Sequence, residues 1–315
     1  MNKASDRLGQ ERYNKQGYVM KVVEYNNAKD IVVEFKDDYK TKIHCQWQQF
    51  DKGTLVNPYE FKQRLNENKY NNQGCLMKII EYNNYHDIIV EFQDKYKAKV
   101  NTTYDCFYNG EIRNPYHPTT FGVGVVGAKY PIRVNGADIR EYVVWNSMLC
   151  RCYDENMKKR CQTYEDVTCC EDWLYFENFY EWLHSQSNFD KWYSNDGWHL
   201  DKDIIVKGNK DYNPDTCCLV PQSVNVLFVK REARRGEFPI GVSKNGNKFR
   251  ANCNNPFTKE QEYLGNYDMA DQAFLAYKKR KENLIKQVAE LEYSQDNITK
   301  ACYDAMMNYE VEITD

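Results

Sequence analysis

Residues 199–221, HLDKDIIVKGNKDYNPDTCCLVP, bring together His199, Asp201, Asp203, Asp211, Asn213, Asp215 and the adjacent thiols Cys217 and Cys218. An imidazole can take a proton from water near neutral pH, and a carboxylate can hold a divalent cation that stabilises a leaving oxygen. Three readings fit such a stretch: a metal-dependent nuclease centre, the remnant of one, or a loop that closes a DNA-binding domain. Which one holds depends on the elements that place these side chains.

At 315 residues the chain exceeds a single core of about 100–200 residues, so more than one domain is expected. Hydrophobic residues make up 42% and aromatics 15%, with 26 tyrosines, which supplies a core and favours half-buried strands. There is no apolar run of about 18 residues, and the opening MNKASDRLGQERYNKQ has no apolar centre. A cytoplasmic protein with no membrane partner is therefore expected. In such a chain the 12 cysteines read as reduced thiols. The pairs Cys150 and Cys152, Cys169 and Cys170, and Cys217 and Cys218 lack the C-x-x-C spacing of a zinc knuckle, which leaves zinc the lesser alternative. The net charge of -3 requires that any nucleic-acid binding be carried by a local basic surface.

Residues 17–59 align without a gap on residues 74–116, and nearly half of the aligned positions are identical. Each copy begins with two strand-like runs, MKVVEY and DIVVEF or MKIIEY and DIIVEF, separated by an Asn-Asn turn at Asn26 and Asn27 or at Asn83 and Asn84. This pattern predicts two tandem units, each a small antiparallel β-barrel or a curled sheet, Src-homology-3-like in manner. Tyr39, Lys40, Lys42 and Trp47, with Tyr96, Lys97, Lys99 and Tyr104 in the second copy, are candidate docking residues for a peptide or a nucleic-acid backbone, or else complete the sheets.

Beyond the glycine-rich connector at 121–127 the apolar period becomes helical, over residues 139–153 and 171–185. Trp173, Phe176, Phe179, Tyr180 and Leu183 form one wide aromatic face that reads as core. Residues 230–250 hold seven Lys or Arg against two Glu, a basic asymmetry in an acidic chain. Three short strands are predicted next, over 240–243, 248–253 and 262–267, with a hairpin turn at 244–247. A helix from Ala270 should pack across them and leave Lys278, Lys279, Arg280 and Lys281 toward solvent or phosphate. The tail from Asn297 reads as a short helix followed by the strand-like residues 309–313.

The run Tyr142-x-x-Trp145-x-x-Met148 with Arg151-Cys152-Tyr153, Cys170-x-x-Trp173, Leu200-Asp201-Lys202-Asp203, Gly208-Asn209, Tyr212-x-Pro214-x-Thr216-Cys217 and Asn225 resembles phage and mobile-element proteins of the HNH homing-endonuclease type. The resemblance implies a bacterial host cell. It also implies Asp201 as metal carboxylate, Asn213 as loop-fixing amide and Asn225 as last metal ligand, around Mg or another divalent cation. Where the intact motif has its histidine base this chain has Lys202, and a lysine ammonium ordinarily cannot accept a proton at neutral pH. His199 is the substitute candidate; strand parity puts it on the face of Asp201, two residues away.

Gly241-Val242, Lys248-Phe249-Arg250-Ala251, Tyr263-Leu264-Gly265-x-Tyr267 and Ala270-x-x-Ala273-Phe274-x-x-Tyr277 resemble the Apetala-2 DNA-binding domain. That resemblance implies a sheet laid in the major groove of double-stranded DNA, read by Lys244, Lys248, Arg250 and Asn252; the basic excess over 230–250 adds Arg231, Arg234 and Arg235 as candidate DNA contacts. The tryptophans common in the plant domains are missing here.

The fold expected is thus α+β and multidomain: two tandem small β-barrel repeats, a helical HNH-like central domain, and a three-stranded sheet plus helix. The boundaries are 1–66, 67–120, 121–229, 230–293 and a tail at 294–315. The leading functional expectation is a phage-type DNA-binding protein with an impaired HNH-like centre. The alternatives are an active metal-dependent DNA endonuclease, and a factor that seizes a host protein through the N-terminal repeats.

Overall fold

Alternation of apolar and polar residues folds each repeat into a four-stranded antiparallel meander. In the first copy, β1 (Glu11–Tyr13), β2 (Val19–Asn27), β3 (Asp30–Phe35) and β4 (Lys42–Cys45) lie in sequence order, followed by the short helix α1 (Trp47–Asp51). The second copy repeats this with β5 (Asn68–Tyr70), β6 (Leu76–Asn84), β7 (Asp87–Phe92), β8 (Lys99–Thr102) and α2 (Tyr104–Tyr108). Met20, Val22, Ile31, Val33, Phe35 and Phe50 fill the first core, and Met77, Ile79, Ile88, Val90, Phe92 and Phe107 fill the second. A computed structural model describes residues 6–59, 64–229 and 237–313, and the chain divides into two compact units, Met1–His117 and Pro118–Asp315.

Among the described residues, the outer strands of each repeat do not pair with one another, so the sheets are open and the expected closed barrels do not form. The outer strands are only three and four residues long, which leaves little ladder with which to close a ring. A second difference lies in the turns. The strands run on through Asn27 and Asn84, which pair with Asp30 and Asp87, so the two-residue loops are Ala28-Lys29 and Tyr85-His86. Asn27 and Asn84 act instead as side-chain acceptors for the backbone N–H of Lys29 (2.8 Å) and His86 (2.9 Å).

A polar cradle is duplicated with the sheets. The buried Asn14 amide donates to the Leu55 carbonyl (2.9 Å) and its oxygen accepts from the Gln16 and Tyr18 amides; Asn71 does the same with Ile112 (2.8 Å), Gln73 and Cys75. Arg7 lies 4.1 Å over the Trp47 ring and Arg64 lies 3.7 Å over Tyr104. The structural repeat therefore begins upstream of Gly17 and Gly74.

The second unit opens with the small hairpin β9 (Arg133–Val134) and β10 (Ala137–Asp138), then α3 (Arg140–Tyr153), α4 (Glu155–Arg160), β11 (Thr168–Cys169), α5 (Phe176–Ser185) and α6 (Phe189–Ser194). The helix expected over 171–185 starts only at Phe176. Before it, Tyr175 is drawn into an extended bridge with Val125, whose amide donates to the Leu174 carbonyl and whose carbonyl accepts from the Phe176 amide. Trp145, Met148 and Leu149 of α3 pack on Trp173, Phe176, Phe179 and Leu183. That aromatic face is core.

Strand β12 (Trp198–Asp201) leads through the two-residue β13 (Asp211–Tyr212) to its antiparallel partner β14 (Cys218–Pro221), and α7 (Gln222–Phe228) follows directly. Leu200 and Leu219 face the α3–α5 core, whereas Cys218 and Val220 face a second core with Val224, Leu284, Ile285, Cys302 and Met306. The hairpin is thus buried on both faces. The chain ends with the sheet β15 (Val242–Asn245), β16 (Lys248–Asn254) and β17 (Gln261–Tyr267), the long helix α8 (Ala270–Ser294) and α9 (Lys300–Met307). Residues 309–313 form no strand; Val311 is buried and its amide donates to Glu282 (2.9 Å).

Candidate functional site

Hairpin and helix place the predicted catalytic residues on a strand, in a loop and on a helix. His199 pairs across β12 and β14 with Val220, and Asp201 with Cys218, so both point to the face that α7 covers. Along a strand that spacing separates them by about 7 Å. The His199 Nε2 contacts the Gln222 side chain at the start of α7, and no imidazole contact to Asp201 is made among the described residues. Asn225 sits half-buried on α7 with no side-chain hydrogen bond among the described residues. Asn213 braces the loop: its oxygen accepts from the Asp215 and Thr216 amides (both 3.0 Å), and its amide donates to Asp211 (2.9 Å).

Asp201 turns the chain at the end of β12, accepting the backbone N–H groups of Asp203 and Ile204 on one oxygen (both 2.9 Å). Burial, and then the neighbouring Asp203 charge, push its carboxyl up to about 6. The Lys202 ammonium, almost buried, donates to Asp203 (3.1 Å) and to the Asn209 carbonyl (3.0 Å). Asn209 closes the loop by donating to the carbonyls of Lys202 (2.7 Å) and Asp211 (2.6 Å).

These residues do not fit a divalent cation. One Asp201 oxygen is committed to two amides, and an ammonium already lies against the adjacent carboxylate. Among the described residues no group of three His, Cys, Asp or Glu is arranged to hold a metal ion. All twelve cysteines are free thiols, and burial pushes Cys45 up to about 11 and Cys152 to about 12.

The geometry predicts that Asp201→Asn is tolerated. Asparagine keeps the oxygen that accepts both amides and removes a buried charge. A carboxyl whose folded pKa lies above its unfolded value gives stability that is full below about pH 4 and lost as pH rises through about 6. Asp201→Asn should therefore match or exceed the parent above pH 7, by on the order of 2 kcal/mol, with the gap closing below pH 5. Urea midpoints from pH 4 to 8 measure this; a variant less stable than the parent at pH 8 contradicts the assignment.

The carboxy-terminal sheet presents the other predicted site. Ala251 and Cys253 face the core under α8, so Lys248, Arg250, Asn252 and Asn254 face outward, joined by Ser243, Asn245, Tyr263 and Asn266 through the strand register. Arg250 lies 5.7 Å over the Tyr263 ring and has no carboxylate partner among the described residues. Lys248 meets Asp268 at 3.3 Å with both side chains largely exposed.

Two expectations change here. Lys244 pairs across with Phe249, which puts it on the helix side of the sheet, away from the outward set. The strand extends to Asn245 and the turn is only Gly246-Asn247, so Lys244, expected in the turn, takes a fixed place in the ladder on the side of Val242. Arg280 does not face phosphate: it grips Glu262 with Nε (2.6 Å) and Nη2 (2.8 Å), and this guanidinium, with the Asn255 amide, holds the Glu262 carboxyl down at about 2. That pair pins α8 to β17, a use that the charge run in the sequence did not signal. Arg231, Arg234 and Arg235 lie outside the described residues.

No helix among the described residues is long and apolar enough to cross a membrane. No protein-family model, no curated protein and no solved structure matches the chain.

Proposed function

We propose that this is a double-stranded-DNA-binding protein that engages the duplex with the outward face of β15–β17, and that its HNH-like hairpin and helix serve as a scaffold without hydrolytic activity. The observation that carries the reading is Arg250 at the centre of an exposed face of amides and a tyrosine, with no carboxylate partner among the described residues, at the end of the basic stretch 230–250. A sheet of this width fits the major groove, and an Arg offers its planar fork to a base or phosphate. In this reading Lys202, which occupies the base position, and Asp201, which is spent on turning the chain, are parts of a brace.

The tandem repeats are read as docking modules, Src-homology-3-like in meander though open among the described residues. Their stacked pairs, exposed Tyr39 on half-buried Tyr59 (4.8 Å) and exposed Tyr96 on half-buried Tyr116 (4.3 Å), favour a second reading in which they hold a host protein. The action proposed is within a bacterial cytoplasm.

The test is one titration and one incubation. Full-length protein should shift duplex DNA in a salt-dependent way, and Lys248→Ala with Arg250→Ala should weaken the shift and lower the salt slope by roughly 0.9 for each lost phosphate contact. Plasmid incubated with Mg²⁺ or Mn²⁺ should remain supercoiled. Nicking that disappears in Asp201→Ala would overturn the scaffold assignment, and absence of any shift would overturn the DNA assignment.

A further inference from the structure

We infer that a cavity at the edge of the carboxy-terminal sheet binds a small organic anion with an apolar body. This site stands on its own geometry and does not depend on the DNA-binding reading above.

The cavity, of about 730 Å³, lies beside the stretch of β16 that β15 leaves uncovered. Pairing of the two strands begins at Val242 and Ala251, whereas β16 runs on to Asn254. The Asn252 amide donates to the Gly241 carbonyl (2.9 Å). Alternation along the strand turns the Asn254 amide to the same edge, beyond the start of β15, where it meets no backbone acceptor among the described residues. The end of α7, one side of α8 and residues 309–311 line the rest of the space. Volumes of roughly 300–1,000 Å³ are those of small-molecule sites, which combine apolar walls with a few placed polar groups.

Walls and charges together select the occupant. Phe228 and Tyr309 meet edge to face (4.9 Å), and with Tyr277 and Val311 they give the cavity its apolar surface. Its charged side chains have one sign: Lys259 and Lys281 line it, and no carboxylate does so among the described residues. Lys259 is held in place by its backbone, which has a φ of +60° and donates its amide to the Asn255 carbonyl (2.9 Å). Glu262 and Glu282, which neighbour lining residues in sequence, are turned to Arg280 (2.6 Å) and Lys278 (3.5 Å). Two ammonium groups and an N–H donor beside apolar walls suit an anionic head on an apolar body, whereas a cation there would meet like charge. A carboxylate on an aliphatic chain and a nucleoside monophosphate both offer that chemistry.

The probe is anilinonaphthalene sulfonate, an amphipathic anion whose fluorescence rises in apolar surroundings, titrated into folded full-length protein. It should bind saturably at one site and be displaced by decanoate or by adenosine monophosphate, but not by the cation decylammonium. Whichever anion displaces it identifies the source of the ligand. Lys259→Glu should weaken binding about fivefold through loss and reversal of a partly screened charge pair. Val226→Trp, on the exposed side of α7 that borders the cavity, should weaken it roughly tenfold by filling the space. Both positions are exposed, and matched urea midpoints confirm folding. Absence of saturable binding, displacement by decylammonium, failure of both anions to displace the probe, or affinity that either variant leaves unchanged overturns this inference; the DNA-binding reading is untouched by any of these results.

Discussion

Gly241→Ala should cost about 3 kcal/mol and release the carboxy-terminal sheet from its helix. Gly241 has a φ of +78°, and a Cβ built on it would lie 2.1 Å from Cδ2 of Tyr277 and 2.4 Å from its Cγ. Those are ring atoms near the root of a buried side chain on α8, not the free end of a flexible one. The left-handed backbone itself costs a residue with a Cβ roughly 1–2 kcal/mol, and forcing bulk into a packed core typically costs about 1–3 more. The Gly241 carbonyl also accepts the Asn252 amide (2.9 Å), so a shift of the backbone to relieve the clash disturbs the strand that carries Arg250. Gly246→Ala is the matched control: its φ is +61° at the hairpin tip, and a Cβ there meets nothing within 4 Å. It should cost about 1 kcal/mol. Equal urea midpoints for the two variants would show that the Tyr277 ring yields, and that the close approach has no structural weight.

The elements that sequence made legible are those with long, regular periods. The repeats, α3, the three-stranded sheet and α8 are all visible as alternation or helical spacing, because the apolar side chains that define those periods are the ones that fill the cores. What stayed hidden depends on the last residue of an element. Lys244, expected in the hairpin turn, is drawn into the ladder because β15 runs on to Asn245, and alternation along the strand then puts it on the helix side. The start of α5 moved to Phe176 because a backbone bridge to Val125, far away in sequence, outweighed the local helical pattern. The site shows the same division. That Lys202 stands where an HNH base is expected was legible as a residue type; that its ammonium closes onto the Asn209 carbonyl was not, because no spacing rule encodes it. Arg280 looked like any lysine or arginine of a solvated helix face, and only the packing of α8 on β17 brings it to Glu262.

Asn188→Ala should destabilise the second unit by about 3 kcal/mol, and Asn188→Asp by more at neutral pH. Asn188 is 1% exposed, and its amide donates to the Leu219 carbonyl of β14 (3.0 Å) and to the Asn297 carbonyl between α8 and α9 (2.9 Å). One side chain thus joins the β12–β14 hairpin to the helices that back the carboxy-terminal sheet. Leaving a buried carbonyl without its donor costs about 1–3 kcal/mol, and here two carbonyls lose one. Lys191 donates to Gln295 and Asn297 nearby, so the contact is local to the end of α8 and does not rest on Asn188 alone. Aspartate is the sharper probe. It has the shape of asparagine but offers no donor when ionised, and it would set a charge against two carbonyl oxygens in a dry site. Its carboxyl would therefore titrate well above the ordinary aspartate value in the folded state. The stability of Asn188→Asp should then be highest at acid pH and fall as pH rises, opposite in sign to a salt-bridged carboxylate. Urea unfolding of both variants at pH 5 and pH 8 measures this. If aspartate proves no worse than alanine at pH 8, water reaches the site and the clamp does not hold the two halves of the unit together.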